Sequence, residues 1–251
     1  MRCCYASLLS TDSYLPGARV LHYSLQATNP AHPFLLLVTP NVSAAVRAEL
    51  AAIGIRVRVL DRSLLAPASP NEPRWTFTFS KLHIFGLVEF DKLVFLDADM
   101  LVRRNIDELF QQPHLSAVNA GGHLPECASW TQFNSGLLVV EPSTALFEDM
   151  RQQLAGIGRE LRGDQTFLHQ YFPDWPSRHE LHLDHRYNIF DVHLDRYEEL
   201  FGWGIDEAKV IHFIGETKPW DPAPRRWRWD RATRRRRRLI RRSARRRSSP
   251  G

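Results

Sequence analysis

Cysteine is scarce in this chain of 251 residues: Cys3, Cys4 and Cys127 are an odd count, and two of them are adjacent. That rules out a disulfide framework, and the spacing fits no zinc site. Small buried hydrophobes in a reducing compartment are the expectation. No window approaches the roughly 20 apolar residues that a membrane span requires, and residues 1–11 hold no apolar stretch of signal-peptide length. A cytoplasmic protein is therefore the default expectation. The body of the chain is also short of positive charge. The formal net charge is +5, but residues 225–251 hold 14 arginines and one acid, Asp230, which leaves 19 basic against 27 acidic residues in 1–224. An acidic body argues against a nucleic-acid-binding fold, whose footprint is a basic patch on the domain itself.

What the chain does have is an apolar content of 43%, enough for one large α/β domain. Residues 5–9 read as a first strand, followed by a polar turn at 10–13 and a helix over 14–27. Residues 34–39 form a continuous apolar run, as in a parallel strand buried on both faces. Ser43 is placed to cap a helix over 44–53, Gly54 to stop it, and residues 55–60 alternate as a strand. This β-α-β-α-β order predicts an α/β, doubly wound, mostly parallel sheet flanked by helices. Residues 61–73 read as a loop and 80–89 as a helix. Strands are expected at 116–119, 136–140 and 209–214, with helices at 144–154 and 165–171. No internal repeat is visible. Residues 225–251 read as an arginine-rich disordered tail behind a domain of residues 1–224.

The strand that begins at Lys92 ends abruptly in Phe95-Leu96-Asp97-Ala98-Asp99. Residues i and i+2 share a face of an extended strand, so both carboxylates can reach one point at its C-terminal end. Convergent carboxylates repel each other unless a cation intervenes, and Mg²⁺ or Mn²⁺ suits oxygen ligands and commonly adds phosphate oxygens. Open α/β sheets bind ligands at this edge, so the stretch points to a metal–diphosphate site. Further along, Phe133-Asn134-Ser135-Gly136 offers hydroxyl-binding groups and a close backbone approach. Gly163-Asp164-Gln165 opens a helix whose N-terminus favours negative charge. After the last strand come His212, able to ligate metal, Gly215, able to approach a phosphate, and Lys218, able to pair with one. Pro219 would hold Lys218 extended, with Trp220 as an anchor.

Each residue also has a plainer alternative. Tyr14 fits a half-buried helix start, Asn134 and Ser135 a strand-entry turn, and Asp164 an N-cap. His212 fits a core histidine, and Lys81 a solvated helix position. His179, His182 and His185 look zinc-like, but their spacing need not converge.

Taken together and in this order, these clusters resemble glycosyltransferase family 8, and within it the glycogenin branch, over roughly residues 5–222. The likeness includes Leu8 to Tyr14 with Leu15-Pro16-Gly17, Lys81, and Asp97-Ala98-Asp99 followed by Asn105-Ile106-Asp107. It continues through Asn134-Ser135-Gly136, Gly163-Asp164-Gln165 and His212-x-x-Gly215-x-x-Lys218-Pro219-Trp220. The resemblance implies a GT-A (nucleotide-diphospho-sugar transferase) fold that uses Mn²⁺, or alternatively Mg²⁺. It also implies retaining transfer of a hexosyl unit, glucose in the first instance, from a UDP-sugar to a hydroxyl on a glycan, sugar or polyol. By that likeness Asp97, Asp99 and His212 ligate the metal, Gly215 and Lys218 hold the diphosphate, and Lys81 lies near the donor phosphate or sugar. Leu8, Ser10, Thr11 and Tyr14 surround the uridine, with Tyr14 stacked on uracil, and Ala98 belongs to the same donor-binding set. Asn134, Ser135, Asp164 and Gln165 contact the donor sugar and the reacting centre. There Asp164 or Gln165 either stabilises an oxocarbenium-like centre or serves as a nucleophile.

Two departures bear on the acceptor. The glycogenin branch carries an extra Asp where this chain has Leu161. Its self-glucosylated Tyr falls at Asp195, with Tyr197 two residues on. Both favour an external acceptor over self-priming. Two other readings compete with transfer: a non-catalytic UDP-sugar-binding protein, and a nucleic-acid binder acting through its arginine tail. The oligomeric state stays open, a homodimer included.

Overall fold

The computed structural model describes residues 1–61, 77–156 and 163–221. The chain divides into a compact unit, Met1–Lys218, and a second unit from Pro219, of which only residues 219–221 are described. The expected arginine-rich tail, most of the loop at 61–73 and Leu161 lie outside the described residues.

The main unit is built on a six-stranded sheet. β1 (Cys3–Leu9), β2 (Phe34–Val38), β3 (Arg56–Val59), β4 (Lys92–Leu96), β6 (Ala117–Val118) and β7 (Asn134–Val140) lie in the order β3-β2-β1-β4-β7-β6. The first four are parallel, while β7 runs antiparallel to both β4 and β6. Every residue of β2 and β4 is buried, as continuous apolar runs covered on both faces require. Side chains alternate between two cores. Tyr5, Leu36, Val94 and Leu96 face one, and Ala6, Leu35, Leu37, Leu93 and Phe95 face the other.

Helix α1 (Leu15–Gln26) packs on the first core through Leu21 and Leu25. Helix α2 (Ala44–Ala52) is capped by Ser43, whose hydroxyl accepts from the Val46 amide, and Gly54 follows it at φ +83°. Helices α3 (Thr144–Gly156) and α4 (Gly163–Tyr171) cover the second core. Helix α5 (Leu194–Phe201) ends at Gly202 in the left-handed region. The expected α/β architecture and its mostly parallel sheet are present. No helix among the described residues is long and apolar enough to cross a membrane.

Two elements differ from expectation. The helix expected at 80–89 is a 3₁₀ segment, Thr78–Gly86, packed so tightly that a Cβ on Gly86 would lie 2.6 Å from the Phe147 ring. In a 3₁₀ turn i and i+3 eclipse, so Thr78 and Lys81 share a face. The second difference is an additional three-stranded sheet, β5-β9-β8, formed by β5 (Met100–Val102), β8 (Ile189–Phe190) and β9 (Val210–His212). Its strands are only two or three residues long.

The Asn105-Ile106-Asp107 segment ties the edge of this fold together. Asp107 accepts from the Tyr5 hydroxyl (2.7 Å), the Ala31 amide (3.0 Å) and Asn105 Nδ2 (2.8 Å). Burial works against its charge, but the donors of Ala31, Asn105 and Tyr5 hold the carboxyl below the ordinary range. Stability from such a group is present above the unfolded pKa of about 4 and is lost as pH falls through the lower folded value. Asp107→Ala is expected to cost roughly 2–3 kcal/mol at pH 7 in urea unfolding. The deficit relative to wild type should shrink below pH 4, and a deficit unchanged at pH 3 would contradict this account.

Candidate functional site

The pairing of β4 with β7 builds the site. Because the two strands are antiparallel, with Leu96 opposite Leu137, the C-terminal end of β4 meets the N-terminal end of β7. The Asp97 amide donates to the Gly136 carbonyl at 2.8 Å, so Asp97-Ala98-Asp99 and Asn134-Ser135-Gly136 meet at one edge. β1 runs parallel to β4, which brings the turn after Leu9 to that same edge. The chain then reverses, with the Met100 amide donating to the Asp97 carbonyl at 3.2 Å, and enters β5. β5 pairs antiparallel with β9, Met100 opposite His212, and the Phe213 amide donates to the Asp99 carbonyl at 3.0 Å. One sheet thus supplies the carboxylates and the other the imidazole.

Asp97, Asp99 and His212 each turn a ligating atom inward, all within 4.8 Å of one another, and they are the single such group found among the described residues. His212 Nε2 stands 3.2 Å from Asp99 Oδ1 and 3.9 Å from Asp97 Oδ2. Two carboxylates and an imidazole in that space form a donor set that suits a divalent cation. Lys218, also buried, donates from Nζ to Asp99 Oδ2 and to the Phe213 carbonyl, both at 2.7 Å. Its ammonium lies 5.8 Å from the centroid of the Tyr14 ring.

The other side of Asp97 is closed by Lys81. That ammonium contacts Asp164 Oδ2 at 2.9 Å and Asp97 Oδ1 at 3.0 Å, and it donates to the Ser135 carbonyl and hydroxyl, each at 3.2 Å. Lys81 is 5% exposed, so the solvated helix position is excluded. Burial disfavours its charge, but Asp164 and Asp97 outweigh that and hold its pKa above the ordinary value. The two carboxyls of the Asp-x-Asp pair diverge. Burial pushes Asp97 up, Asp99 adding to it and Lys81 and His212 opposing. Burial acts the same way on Asp99, but the His212 hydrogen bond and the charges of His212 and Lys218 pull it well below the usual range.

Asp164 lies in the first turn of α4, yet its carboxylate is not a cap. It accepts from Ser135 Oγ at 2.9 Å, while its amide donates to Thr78 Oγ1 at 3.3 Å. Gln165 Oε1 accepts from Asn134 Nδ2 and from the Ser135 amide, both at 3.0 Å. Gly136 leaves room for this convergence, since a Cβ there would stand 2.5 Å from His212 Cε1 and 2.8 Å from Met100 Cε. Asn134, Ser135, Asp164 and Gln165 therefore form one hydrogen-bonded group that Lys81 joins to Asp97, with Asp99, His212 and Lys218 on the metal side.

The remaining expected residues fall in β1 and the turn after it, between the two aspartates, and after β9. Leu8 is in β1, partly buried against the second core. The Ser10 carbonyl accepts from Thr39 Oγ1 at 2.9 Å, Thr11 Oγ1 is 2.8 Å from Ser13 Oγ, and Tyr14 stands at the N-cap position of α1. Ala98 is buried between the two aspartates, and Gly215 is exposed in the turn between His212 and Lys218. Pro219 and Trp220 belong to the second unit.

The three zinc-like histidines do not converge. His182 stacks on Trp175 at 4.1 Å, while His185 Nδ1 meets the Tyr197 hydroxyl at 2.8 Å. Two participants carried no motif: Thr78, and Asn188, which contacts His212 and Asn134. Asn188 stands directly before the apolar pair of β8, and that position was its only sequence signal.

The family model for glycosyl transferase family 8 matches residues 6–123. Glycogenin-1 of Mus musculus is 35% identical over 222 residues, covering 86% of this chain and 65% of that protein. An inositol phosphorylceramide glucuronosyltransferase of Arabidopsis thaliana is 32% identical over 236 residues, covering 86% of this chain and 42% of its own. The chain thus spans just under two thirds of the mouse protein's length. Among solved structures, galactosyltransferase LgtC in complex with donor and acceptor sugar analogues superposes with a TM-score of 0.62 at 19% identity. The match covers 92% of this chain and 94% of that one. GlyE of Streptococcus pneumoniae gives 0.60 at 19% identity, covering 88% and 56%.

The buried bridge makes a prediction that needs no ligand. Lys81→Met strands the buried carboxylate of Asp164 and the partly buried one of Asp97, and is expected to cost about 3 kcal/mol in chemical unfolding. Adding Asp164→Asn should recover part of that loss, because one uncompensated charge is removed. A double variant as unstable as the sum of the two single variants would show that Lys81 and Asp164 do not act as a pair.

Proposed function

We propose that the chain, which has the GT-A fold, is a member of glycosyl transferase family 8 and transfers a hexosyl unit from a UDP-sugar to a hydroxyl acceptor with retention. The observation that carries this reading is the cluster of Asp97, Asp99 and His212 at the end of β4, with Lys218 on one flank and the Lys81–Asp164 bridge on the other. Asp97, Asp99 and His212 would hold a divalent cation, Mn²⁺ before Mg²⁺. When bound, such an ion supplies charge neutralisation for a departing diphosphate.

The protein's own groups divide the remaining work. Lys218 sets a point charge beside the metal ligands for the diphosphate, with Gly215 in the same turn giving the chain a close approach. Leu8, Ser10, Thr11, Ala98 and Tyr14 border the nucleoside half of the donor. Asn134, Ser135 and Gln165 orient the sugar, and Asp164 faces the reacting centre. Because the Asp164 carboxylate is held by Lys81 and Ser135, it is preorganised to stabilise positive charge at the anomeric carbon. Two hydrogen bonds to its side chain support that electrostatic role over a free nucleophile.

The acceptor is an external hydroxyl compound, a glycan, sugar or polyol, with glucose the first choice for the donated unit. Tyr197, the nearest candidate for self-modification, supports this. Its side chain is fully buried, its hydroxyl is engaged by His185, and its ring stacks with Trp203. Asp195, at the position expected for an acceptor, is exposed but carries a carboxylate in place of a phenol.

Slow release of UDP from UDP-glucose in the presence of Mn²⁺ tests the reading. Asp99→Asn is expected to lower that rate at least about 100-fold in protein that still unfolds in a single cooperative transition, its midpoint lowered by the loss of the partner of Lys218. A rate within twofold of wild type would sink the proposal. No hydrolysis by wild type across several UDP-sugars would favour a non-catalytic binder.

A further inference from the structure

We infer that Asn188 is a positioning residue that sets which nitrogen of His212 faces the metal ligands, through a one-way chain of amides running from α4 to β9. This rests on the metal reading above and concerns a residue, Asn188, that no sequence motif marks.

The chain of bonds has a fixed direction because backbone amides can only donate. The Ser135 amide donates to Gln165 Oε1 at 3.0 Å, which makes that atom the amide oxygen and an acceptor. Asn134 Nδ2 therefore donates to Gln165 Oε1, also at 3.0 Å. Independently, the Gly136 amide donates to Asn134 Oδ1 at 3.0 Å, so the orientation of the Asn134 amide is fixed twice. Asn134 Oδ1 then accepts from Asn188 Nδ2 at 2.9 Å, which turns Asn188 Oδ1 toward His212. That oxygen lies 3.1 Å from His212 Nδ1 and can only accept. Nδ1 must therefore carry the proton, and the lone pair of Nε2 is left for a cation beside Asp97 and Asp99. Asn188 is fully buried and His212 is 4% exposed, so water does not substitute for these partners.

Metal-binding histidines generally need such a partner to hold ring and tautomer, and its loss typically costs 10–100-fold in affinity. Here the partner is linked through Asn134 to Gln165, in the group proposed to orient the sugar. The metal ligand on the second sheet and the sugar-orienting end of the first are therefore held by one hydrogen-bonded chain.

Mn²⁺ affinity, measured by the electron paramagnetic resonance signal of free Mn²⁺ without any sugar nucleotide, separates this inference from the activity. Asn188→Ala is expected to weaken Mn²⁺ binding about 10–100-fold. Asn188→Asp keeps an acceptor at Nδ1–H but sets its second oxygen against Asn134 Oδ1, so it should bind Mn²⁺ more weakly than wild type and more tightly than Asn188→Ala. In the Mg²⁺-loaded wild type and Asn188→Asp, a slowly exchanging imidazole N–H proton assigned to Nδ1 of His212 should appear by NMR. Asn188→Ala should lose it. Equal Mn²⁺ affinity in folded Asn188→Ala would overturn the inference, as would a wild-type spectrum showing Nδ1 unprotonated. If Asn188→Ala does not fold, the wild-type spectrum still decides. Failure of wild type to bind Mn²⁺ at all would instead overturn the metal reading on which the inference rests.

Discussion

Three carboxylates converge at the end of β4, and their mutual repulsion is the constraint on which the site depends. Asp97 and Asp164 share the ammonium of Lys81, and Asp99 takes that of Lys218. Those two cations balance two of the three negative charges. The third is balanced by His212 when protonated, or by a divalent ion between the Asp-x-Asp pair and the imidazole. Burial makes the imbalance expensive, since unpaired charge in a low-dielectric site is worth several kcal/mol. Burial also pushes Asp97 up, whereas Asp99, bonded to His212 and Lys218, stays well below the usual range.

The geometry that allows this convergence comes from strand direction. Three parallel neighbours bring β1 and β4 out at one edge, as a doubly wound sheet requires, and that alone would leave the aspartates facing solvent. The antiparallel insertion of β7 returns the chain to the same edge and sets Asn134 and Ser135 beside Asp97. The short second sheet then brings His212 across from Asp99. Gly136 sits where these strands crowd, and its lack of a side chain keeps His212, Asn134 and Met100 in place.

Much of this was legible in the sequence, for identifiable reasons. The runs at β1, β2 and β4 are long enough for periodicity to reveal them, and the end of β4 is marked by two acids two residues apart. Asn134, Asp164, Gln165, His212 and Lys218 were visible as clusters at element boundaries, although nothing in their spacing gave their mutual distances. Of the second sheet only β9 was legible, within the strand expected at 209–214; β5 and β8 were not, because strands of two or three residues fall below what alternation can resolve. The 3₁₀ character of Thr78–Gly86 was missed because its apolar residues fit a helical period equally well. Lys81 looked like a surface residue for the same reason, and only tertiary packing shows it buried between two aspartates. Asn188 lies at the mouth of a two-residue strand, far in sequence from both of its partners.

The central claim is that the Asp97–Asp99–His212 cluster holds a divalent cation that in turn holds a diphosphate. Calorimetric titration of wild-type protein with Mn²⁺, in the presence and absence of UDP, tests it most directly. The account predicts Mn²⁺ binding at 1:1 that UDP tightens about tenfold or more, with a reciprocal tightening of UDP by Mn²⁺. Binding of UDP that is indifferent to Mn²⁺, in either direction, would contradict it.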